Sequence, residues 1–381
     1  MLNEQIYTNA RIVAADEIIP GSVCVRGGLI QDVGHERCNL PQAVDLQGDY
    51  LMPGLVELHT DNLEKYMNPR PGVDWPSASA VLAHDAQIVS AGITTVFDAL
   101  SIGDISPKGD RMRQLPAMLQ AIAQARENEH TRADHRLHLR CELSHEKTLP
   151  VFKELVDHAL VQLVSVMDHS PGQRQFVKLE KYREYYQGKY HMSDEEMESF
   201  IVRQLENAQR YSDKYRRDIV AICRERGLSV ASHDDATIEH AKESADFGMS
   251  IAEFPTTTEA ANFSHQLGMK VLMGAPNIVR GGSHSGNVAA STLAQEGVLD
   301  ILSSDYYPAS LLQAAKRLAD APNHYDLPAA IATISRAPAQ AAGLVDRGEI
   351  RIGLRADLVR VREHGRDLLV DRVWSRGQRV F

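Results

Sequence analysis

The chain of 381 residues is poor in cysteine and has no long apolar run. Its four cysteines are scattered and form no CxxC pair, so neither a disulfide framework nor a zinc knuckle is predicted. No apolar stretch approaches the roughly 20 residues that a membrane helix needs. The N-terminus also lacks the basic and apolar segments of a secretory signal. These absences predict a cytoplasmic protein with reduced thiols and no membrane partner.

Basic residues are also fewer than acidic residues. The 41 lysines and arginines are outnumbered by 51 acidic residues, which gives a formal net charge of −10 at pH 7. A broad basic surface is therefore absent, and nucleic acid is excluded as the expected partner. A local cluster of cations could still bind a small anionic ligand. No GxGxxG follows the first strand-like segment, which disfavours a dinucleotide-binding domain.

The middle of the chain alternates between strand-like and helix-like periodicity. Helical patterns run, for example, from Leu115 to Arg126 and from Asp218 to Arg226. The strand-like segments lie near residues 55–60, 93–99, 136–143, 162–168, 228–233, 249–254, 270–274 and 299–304. Such a succession predicts an α/β fold of the (β/α)8 TIM-barrel type, with an open doubly wound sheet as the main rival.

Both ends of the chain have a different sequence pattern from the middle. Short β-like pieces separated by glycine turns fill residues 1–52 and recur after residue 346, and neither end could bury much apolar surface alone. We expect residues 1–52 and 346–381 to form one small β-sandwich domain beside a barrel at 53–345.

A charged, tyrosine-rich and helical segment at about 174–217 interrupts the fourth strand–helix unit. It is too long for an ordinary loop between a strand and a helix. The segment is interpreted as a helical lid or a subunit contact, and a solvated surface helix explains its composition equally well. Homo-oligomerisation is left open.

Histidine or acidic residues recur where the strand-like segments end. His59 and Asp61 lie two positions apart, so they share one face as the chain leaves its strand. Such a pair can hold a divalent metal, although a buried histidine beside a helix-capping aspartate explains the pair alone as well. Recurrence favours the metal. The other strand-end candidates are Glu142, His169, His233 and Asp305.

The order of these motifs resembles the amidohydrolase superfamily. The shared features are a Met-Pro-Gly-Leu-x-Glu-x-His start, acidic and histidine strand ends, a Ser-Ser-Asp close and a late Gly-x-x-Ala-Asp-Leu-Val strand. Within the superfamily, the chain is similar to the PhnM diphosphatases of the carbon–phosphorus lyase pathway. The blocks that carry this likeness include His59-Thr-Asp-Asn62, Leu139-Arg-Cys-Glu142, Met167-Asp-His-Ser-Pro-Gly-Gln-Arg-Gln175, Ala231-Ser-His-Asp-Asp235, Glu253-Phe-Pro-Thr-Thr257, Arg280-Gly-Gly-Ser-His-Ser-Gly-Asn287 and Ser303-Ser-Asp-Tyr-Tyr-Pro308.

The resemblance implies a metal-dependent diphosphatase. Its substrate would be α-D-ribose 1-methylphosphonate 5-triphosphate, cleaved by a metal-activated water to the 5-phosphate and diphosphate in phosphonate catabolism. The implied cofactors are about two divalent ions, zinc, manganese or iron, with magnesium as a further option. Many superfamily members begin with His-x-His, whereas this chain has Asp61 in the second place, and oxygen ligands move metal preference toward manganese, magnesium or iron.

The resemblance also implies a role for each strand-end residue. Glu142 would bridge the ions, and Asp305 would be both a ligand and the catalytic proton acceptor. The implied metal ligands are His59, Asp61, Glu142, His169, His233 and Asp305.

A polyphosphate substrate needs cationic and backbone N–H donors. Arg280 and His284 belong to a glycine-rich loop after the seventh strand, where barrels often bind phosphate. Lys65, Arg70, Arg140 and Arg174 are further candidates for phosphate or phosphonate contacts, with surface ion pairs as the alternative.

Two other functions stay open at this stage. One is an amide-hydrolysing or deacetylase-type amidohydrolase, against which the arginines and the glycine-rich loop argue. The other is a catalytically silent scaffold of the hydantoinase kind, against which the intact set of acidic and histidine residues argues.

Overall fold

The computed structural model describes residues 4–105, 111–177, 179–283 and 285–381. One eight-stranded mixed sheet joins the two ends of the chain, in the order β16-β15-β14-β5-β1-β2-β3, with β4 paired to β1. Its strands are β1 (Glu4–Val13), β2 (Ile18–Arg26), β3 (Leu29–Gly34), β4 (Val44–Asp45), β5 (Tyr50–Pro53), β14 (Leu358–His364), β15 (Asp367–Ser375) and β16 (Gln378–Arg379). N-terminal β5 pairs with C-terminal β14, so neither end completes the sheet alone.

A second, parallel sheet of eight strands forms the barrel. Its strands are β6 (Leu55–Thr60), β7 (Ile93–Ile102), β8 (Asp134–Glu142), β9 (Val161–Met167), β10 (Ser229–His233), β11 (Ile251–Glu253), β12 (Lys270–Gly274) and β13 (Ile301–Ser303). A parallel bridge between Thr60 and Asp305 joins the first strand to the end of the last. The predicted fold class, a (β/α)8 barrel with a small β-sandwich formed by both chain ends, is thereby confirmed, and the strands of the two ends form one mixed sheet. The domain boundaries stay a prediction.

Helices surround the barrel. They are α1 (Asn62–Met67), α2 (Ser77–Ser90), α3 (Arg111–Glu127), α4 (Thr148–Leu155), α5 (Leu179–Tyr190), α6 (Asp194–Glu225), α7 (Ile238–Asp246), α8 (Thr258–Gln266), α9 (Ala275–Arg280), α10 (Ala290–Gln295), α11 (Ser310–Asp320), α12 (Leu327–Ala332) and α13 (Arg336–Ala341). In the described residues, no helix combines the length and apolar character needed to cross a membrane.

The alternation of β8 shows how the sequence positions the site. Leu137, Leu139 and Cys141 are buried in the main core, which also holds apolar helix residues such as Phe152 of α4. Side chains on a strand alternate between its faces, so the intervening polar residues face the barrel interior. The last two of these polar residues, Arg140 and Glu142, reach the mouth of the barrel, where the strands end.

The predicted insertion contains α5 and most of α6. It has an apolar cluster of its own, which includes Tyr182 and Phe200. Ser193 begins α6 with a capping box, in which the Ser193 hydroxyl accepts from the Glu196 backbone N–H and the Glu196 carboxylate accepts from the Ser193 backbone N–H. The helix has no break near residue 217 but continues to Glu225, so one helix belongs to both the insertion and the barrel.

Candidate active site

A cavity of about 400 Å³ opens at the carboxyl ends of the barrel strands. This is the end of a TIM barrel where catalytic residues lie. The structure brings most of the sequence-predicted residues to this cavity. Those that line it are His59, Asp61, Arg140, His169, His233, Arg280 and Asp305.

One buried carboxylate orients two of the histidines. Glu253, at the end of β11, has one oxygen 2.7 Å from His59 Nδ1 and the other 2.7 Å from His233 Nδ1. Burial alone would raise the pKa of Glu253, but the neighbouring histidines hold it well below its usual range. An ionised carboxylate can only accept, so both Nδ1 atoms carry hydrogen and each Nε2 is left for another partner. This tautomer is the one that binds a metal.

Glu142 does the same for His169. One oxygen of Glu142 lies 2.6 Å from His169 Nδ1, and the other accepts from the His169 backbone N–H and from the Ser144 hydroxyl. In this conformation Glu142 orients a histidine, and its bridging of two ions stays a prediction.

Asp234 is a candidate ligand that the sequence reasoning did not select. Its Oδ2 lies 3.4 Å from His233 Nε2 and 3.7 Å from His169 Nε2, so the three could hold one ion. Asp234 has a left-handed backbone, with φ of 56°, and so does Asp305, with φ of 54°. Such strain in a non-glycine residue is concentrated at functional sites. The Ser-His-Asp-Asp motif was the available sequence signal.

A second buried acid, Glu57, joins the first and last strands of the barrel. One of its oxygens accepts from the His59 backbone N–H and from the Ser303 hydroxyl, both at 2.7 Å. Its other oxygen accepts from the Ser304 backbone N–H at 2.5 Å. These bonds fix the backbone next to His59 and Asp305, which are predicted ligands from opposite ends of the barrel sequence.

Two of the predicted cations belong to the cavity. Arg140 is 9% exposed, and its Nε has no hydrogen-bond partner among the described residues. Arg280, at the C-terminal end of α9, is exposed and lines the cavity together with Gly282 and Ser283. His284 lies outside the described residues.

Three other predicted cations lie away from the cavity walls that the structure describes. Arg174 is buried and paired with Asp235 and Glu243, and burial next to Arg216 lowers its pKa to about 10. Lys65 is exposed and donates to the backbone carbonyl of Tyr306, and Arg70 is exposed. The guanidinium of Arg174 already has acidic partners, so the structure gives its predicted phosphate contact no support. The structure also gives no support to the predicted phosphate contacts of Lys65 and Arg70, because neither lines the described wall of the cavity.

The insertion supplies part of the cavity wall. Tyr185, Tyr186 and Lys189 of α5 line it, as does Arg111 at the start of α3. Tyr306 also lines the cavity, whereas Tyr307 is 52% exposed. Sequence reasoning did not select Lys189 or Arg111, because no local pattern shows which barrel strand an inserted helix will cover.

Solved structures with the same fold include an amidohydrolase, a deacetylase and a deaminase. An amidohydrolase has a TM-score of 0.64 at 14% identity, covering 99% of this chain and 98% of its own. N-acetylglucosamine-6-phosphate deacetylase from Pasteurella multocida has a TM-score of 0.63 at 15% identity, with 99% of each chain covered. 5-Methylcytosine deaminase from Klebsiella pneumoniae has a TM-score of 0.66 at 13% identity, covering 99% of this chain and 97% of its own. The chain thus has the amidohydrolase fold, with candidate metal ligands at its strand ends.

Sequence comparison narrows this class. A scan against protein-family models finds no match. Alpha-D-ribose 1-methylphosphonate 5-triphosphate diphosphatase of Escherichia coli (strain K12) is 55% identical over 377 residues, which cover 99% of this chain and 100% of the relative. The chain belongs to the family of alpha-D-ribose 1-methylphosphonate 5-triphosphate diphosphatases.

Proposed function

We propose that this protein hydrolyses α-D-ribose 1-methylphosphonate 5-triphosphate to the 5-phosphate and diphosphate. The observation that carries the proposal is the 55% identity with the Escherichia coli diphosphatase over nearly the whole of both chains. The cavity supports it, because Arg140 and Arg280 provide positive charge for an anionic, phosphorylated substrate, which a neutral amide would not need. A cytoplasmic location is part of the same proposal.

The donor set fits divalent metal ions, and we propose two. His59, His169 and His233 each have Nδ1 held by a carboxylate, which is the usual arrangement around a metal-binding imidazole. Asp61, Asp234 and Asp305 add oxygen donors, and this mixed set suits zinc, manganese or iron, with magnesium as a further option. Ions bound there would lower the pKa of a water molecule and polarise a phosphoryl oxygen.

The protein's own residues then divide the remaining tasks. A carboxylate oxygen of Asp305 accepts the proton of the attacking water, as a general base does. The loop after Arg280 holds the polyphosphate, because glycine allows backbone N–H groups to approach phosphate oxygens. Tyr185 and Tyr186 cover the cavity and reduce access of bulk water.

The experiment is a phosphorus NMR assay of the metal-loaded protein with the proposed substrate. We expect diphosphate and the 5-phosphate in equal amounts, and loss of turnover after chelation. Release of orthophosphate instead would mean that the terminal phosphorus is attacked, and no cleavage would refute the proposal.

Asp305→Asn is expected to retain most metal and to lose on the order of a hundredfold in turnover, since an amide cannot accept the proton. Near-normal turnover would assign that proton transfer to another group.

A further inference from the structure

The cavity at the barrel mouth continues into a second chamber of about 250 Å³. The described residues that line both, and so form the shared wall, are Ile105, Arg111, Arg140, His169, Tyr186 and Lys189. Building on the proposed function, we propose that this second chamber is an anion subsite that binds the methylphosphonate end of the substrate, with Lys189 and Arg111 as its specificity-determining residues.

Arg140 provides the buried charge of this subsite. Its side chain is largely enclosed, and its Nε lacks a hydrogen-bond partner in the described part of the chain. A buried donor without a partner is costly, and more so when it is charged. An anionic ligand in the chamber would supply the missing acceptor.

Lys189 and Arg111 provide the remaining positive charge. Lys189 is exposed, lies near the rings of Tyr185 and Tyr190, and makes no ion pair with any described residue. Arg111 pairs with Glu64 through Nε and Nη2, each 3.2 Å from a carboxylate oxygen. Burial alone would lower the pKa of Arg111, but the charge of Glu64 raises it, so the guanidinium keeps its charge.

Acidic residues offset part of these charges. Asp104 and Glu142 are the carboxylates in the described lining of the second chamber. Both oxygens of Glu142 are engaged by His169 and Ser144. Glu64 already pairs with Arg111, so Arg140 and Lys189 are the cations of the described lining that have no carboxylate as an ion-pair partner.

The chemistry of the chamber suits a methylphosphonate better than a diphosphate. A methylphosphonate ester carries one negative charge and an apolar methyl group. Ile105 and Met167 stand beside the cations and can contact that methyl group. Arg280, Gly282 and Ser283 line the larger cavity and not the second chamber, and their loop suits the longer polyphosphate. The scissile phosphorus would then lie between the two, next to His169 and His233.

The experiment compares Lys189→Ala with wild type on two compounds, the proposed substrate and ribose 5-triphosphate, which lacks the phosphonate. We expect kcat/KM to fall about tenfold or more for the phosphonate compound and to stay unchanged for ribose 5-triphosphate. Lys189→Arg should restore most of the loss, and Arg111→Ala should show the same selectivity. Lys181→Ala is the matched control, because Lys181 lies on the same helix and pairs with Glu184 outside both chambers.

Inhibition and binding complete the test. Inhibition by diphosphate should not change in Lys189→Ala, and a loss there would place diphosphate in the chamber and overturn the proposal. An equal loss on both compounds, or no loss, would also overturn it. Calorimetry with ribose 1-methylphosphonate 5-phosphate should show about tenfold weaker binding to Lys189→Ala. If the wild type cleaves neither triphosphate, the proposed function is refuted. The calorimetric measurement still tests the subsite in that case, because it does not depend on cleavage.

Discussion

At the scale of single residues, Glu253 determines how two histidines face the cavity. Its oxygens accept from His59 and His233, which come from strands on different sides of the barrel, at 2.7 Å each. A residue that touches no substrate can therefore control the affinity of the proposed metal centre. The sequence motif contained Glu253, but no spacing rule indicates that a strand-end glutamate will accept from two distant rings.

We predict that Glu253→Gln weakens metal binding about ten- to a hundredfold, as is usual when the partner of a metal-binding histidine is lost. The amide oxygen can accept from one ring, but the amide N–H2 would oppose the Nδ1–H of the other. Elemental analysis after dialysis against graded chelator gives the affinity. Glu243→Gln, which alters an ion pair of Arg174 away from the cavity, should bind metal normally. Equal retention of metal in both variants would contradict this role.

A second buried histidine network lies outside the cavity. His135 Nδ1 is 2.7 Å from Asp98, whose other oxygen is 2.8 Å from His84, and all three residues are fully buried. Burial alone would lower the pKa of His135, but the charges and hydrogen bonds of Asp98 and Asp85 raise it to about 10. His135 is therefore protonated in the folded protein at neutral pH.

This shift makes stability depend on pH. The pKa of His135 is higher when folded than the value of about 6.5 expected in the unfolded chain. Its contribution is therefore present in full below about pH 6.5, declines as pH rises, and is lost above about pH 10. We predict a falling free energy of unfolding in urea between pH 7 and 10, with a shallower slope in His135→Gln. The exposed His130→Gln is the control and should keep the wild-type slope.

At the scale of elements, the insertion is a structural unit with its own core. Phe200 and Tyr182 are buried in the cluster between α5 and α6, whereas Val202 on the same helix is 54% exposed. Residues 179–190 and 194–225 form helices, and the charged helical periodicity that indicates them is a local property of the sequence. Its contact with the cavity through Tyr186 was decided by this cluster, which folds α5 back over the barrel mouth.

We predict that Phe200→Ala loosens the insertion without unfolding the barrel. Removing a buried phenylalanine typically costs about 3–5 kcal/mol, and this cluster lies outside the main core. Limited trypsin digestion should cut α5, which contains Lys181, Arg183 and Lys189, faster than in wild type. Val202→Ala should digest as wild type does, and an unchanged rate in Phe200→Ala would mean that the cluster does not hold α5 down.

At the scale of the whole molecule, one carboxylate joins the barrel to the C-terminal segment. Asp134, at the start of β8, contacts Arg347 at 2.7 Å and Arg355 at 3.2 Å, and it also pairs with Arg126 and Arg136. Burial alone would raise the pKa of Asp134, but the arginines hold it well below its usual range. The carboxylate therefore compensates several buried positive charges at once.

We predict that Asp134→Ala lowers the free energy of unfolding by about 3 kcal/mol, because Arg136 loses its acidic partner and the buried Arg347 and Arg355 each lose one of two. Asp346 and Asp357 remain as partners of Arg347 and Arg355. Urea denaturation at neutral pH measures the change. Asp74→Ala removes an exposed ion pair with Arg113 and should cost less than about 1 kcal/mol. Equal stability of the two variants would mean that the arginines find other partners.

Local pattern in the sequence predicted the barrel, with an open doubly wound sheet as the rival, and the joining of the two chain ends. It also placed His59, Asp61, His169, His233 and Asp305 at strand ends, and these residues line the cavity. This follows because the side-chain period identifies strands, and the carboxyl ends of parallel barrel strands meet at one mouth.

Only the tertiary structure decided which polar groups pair with which. Arg174 has the residue type of a phosphate contact, yet Asp235 and Glu243 occupy it. Lys189 is ordinary in sequence, yet it reaches the cavity because the aromatic cluster turns α5 toward the mouth. The physical reason is that hydrogen bonds and ion pairs act over a few ångströms between residues far apart in the chain, so their partners are determined only when the core has packed.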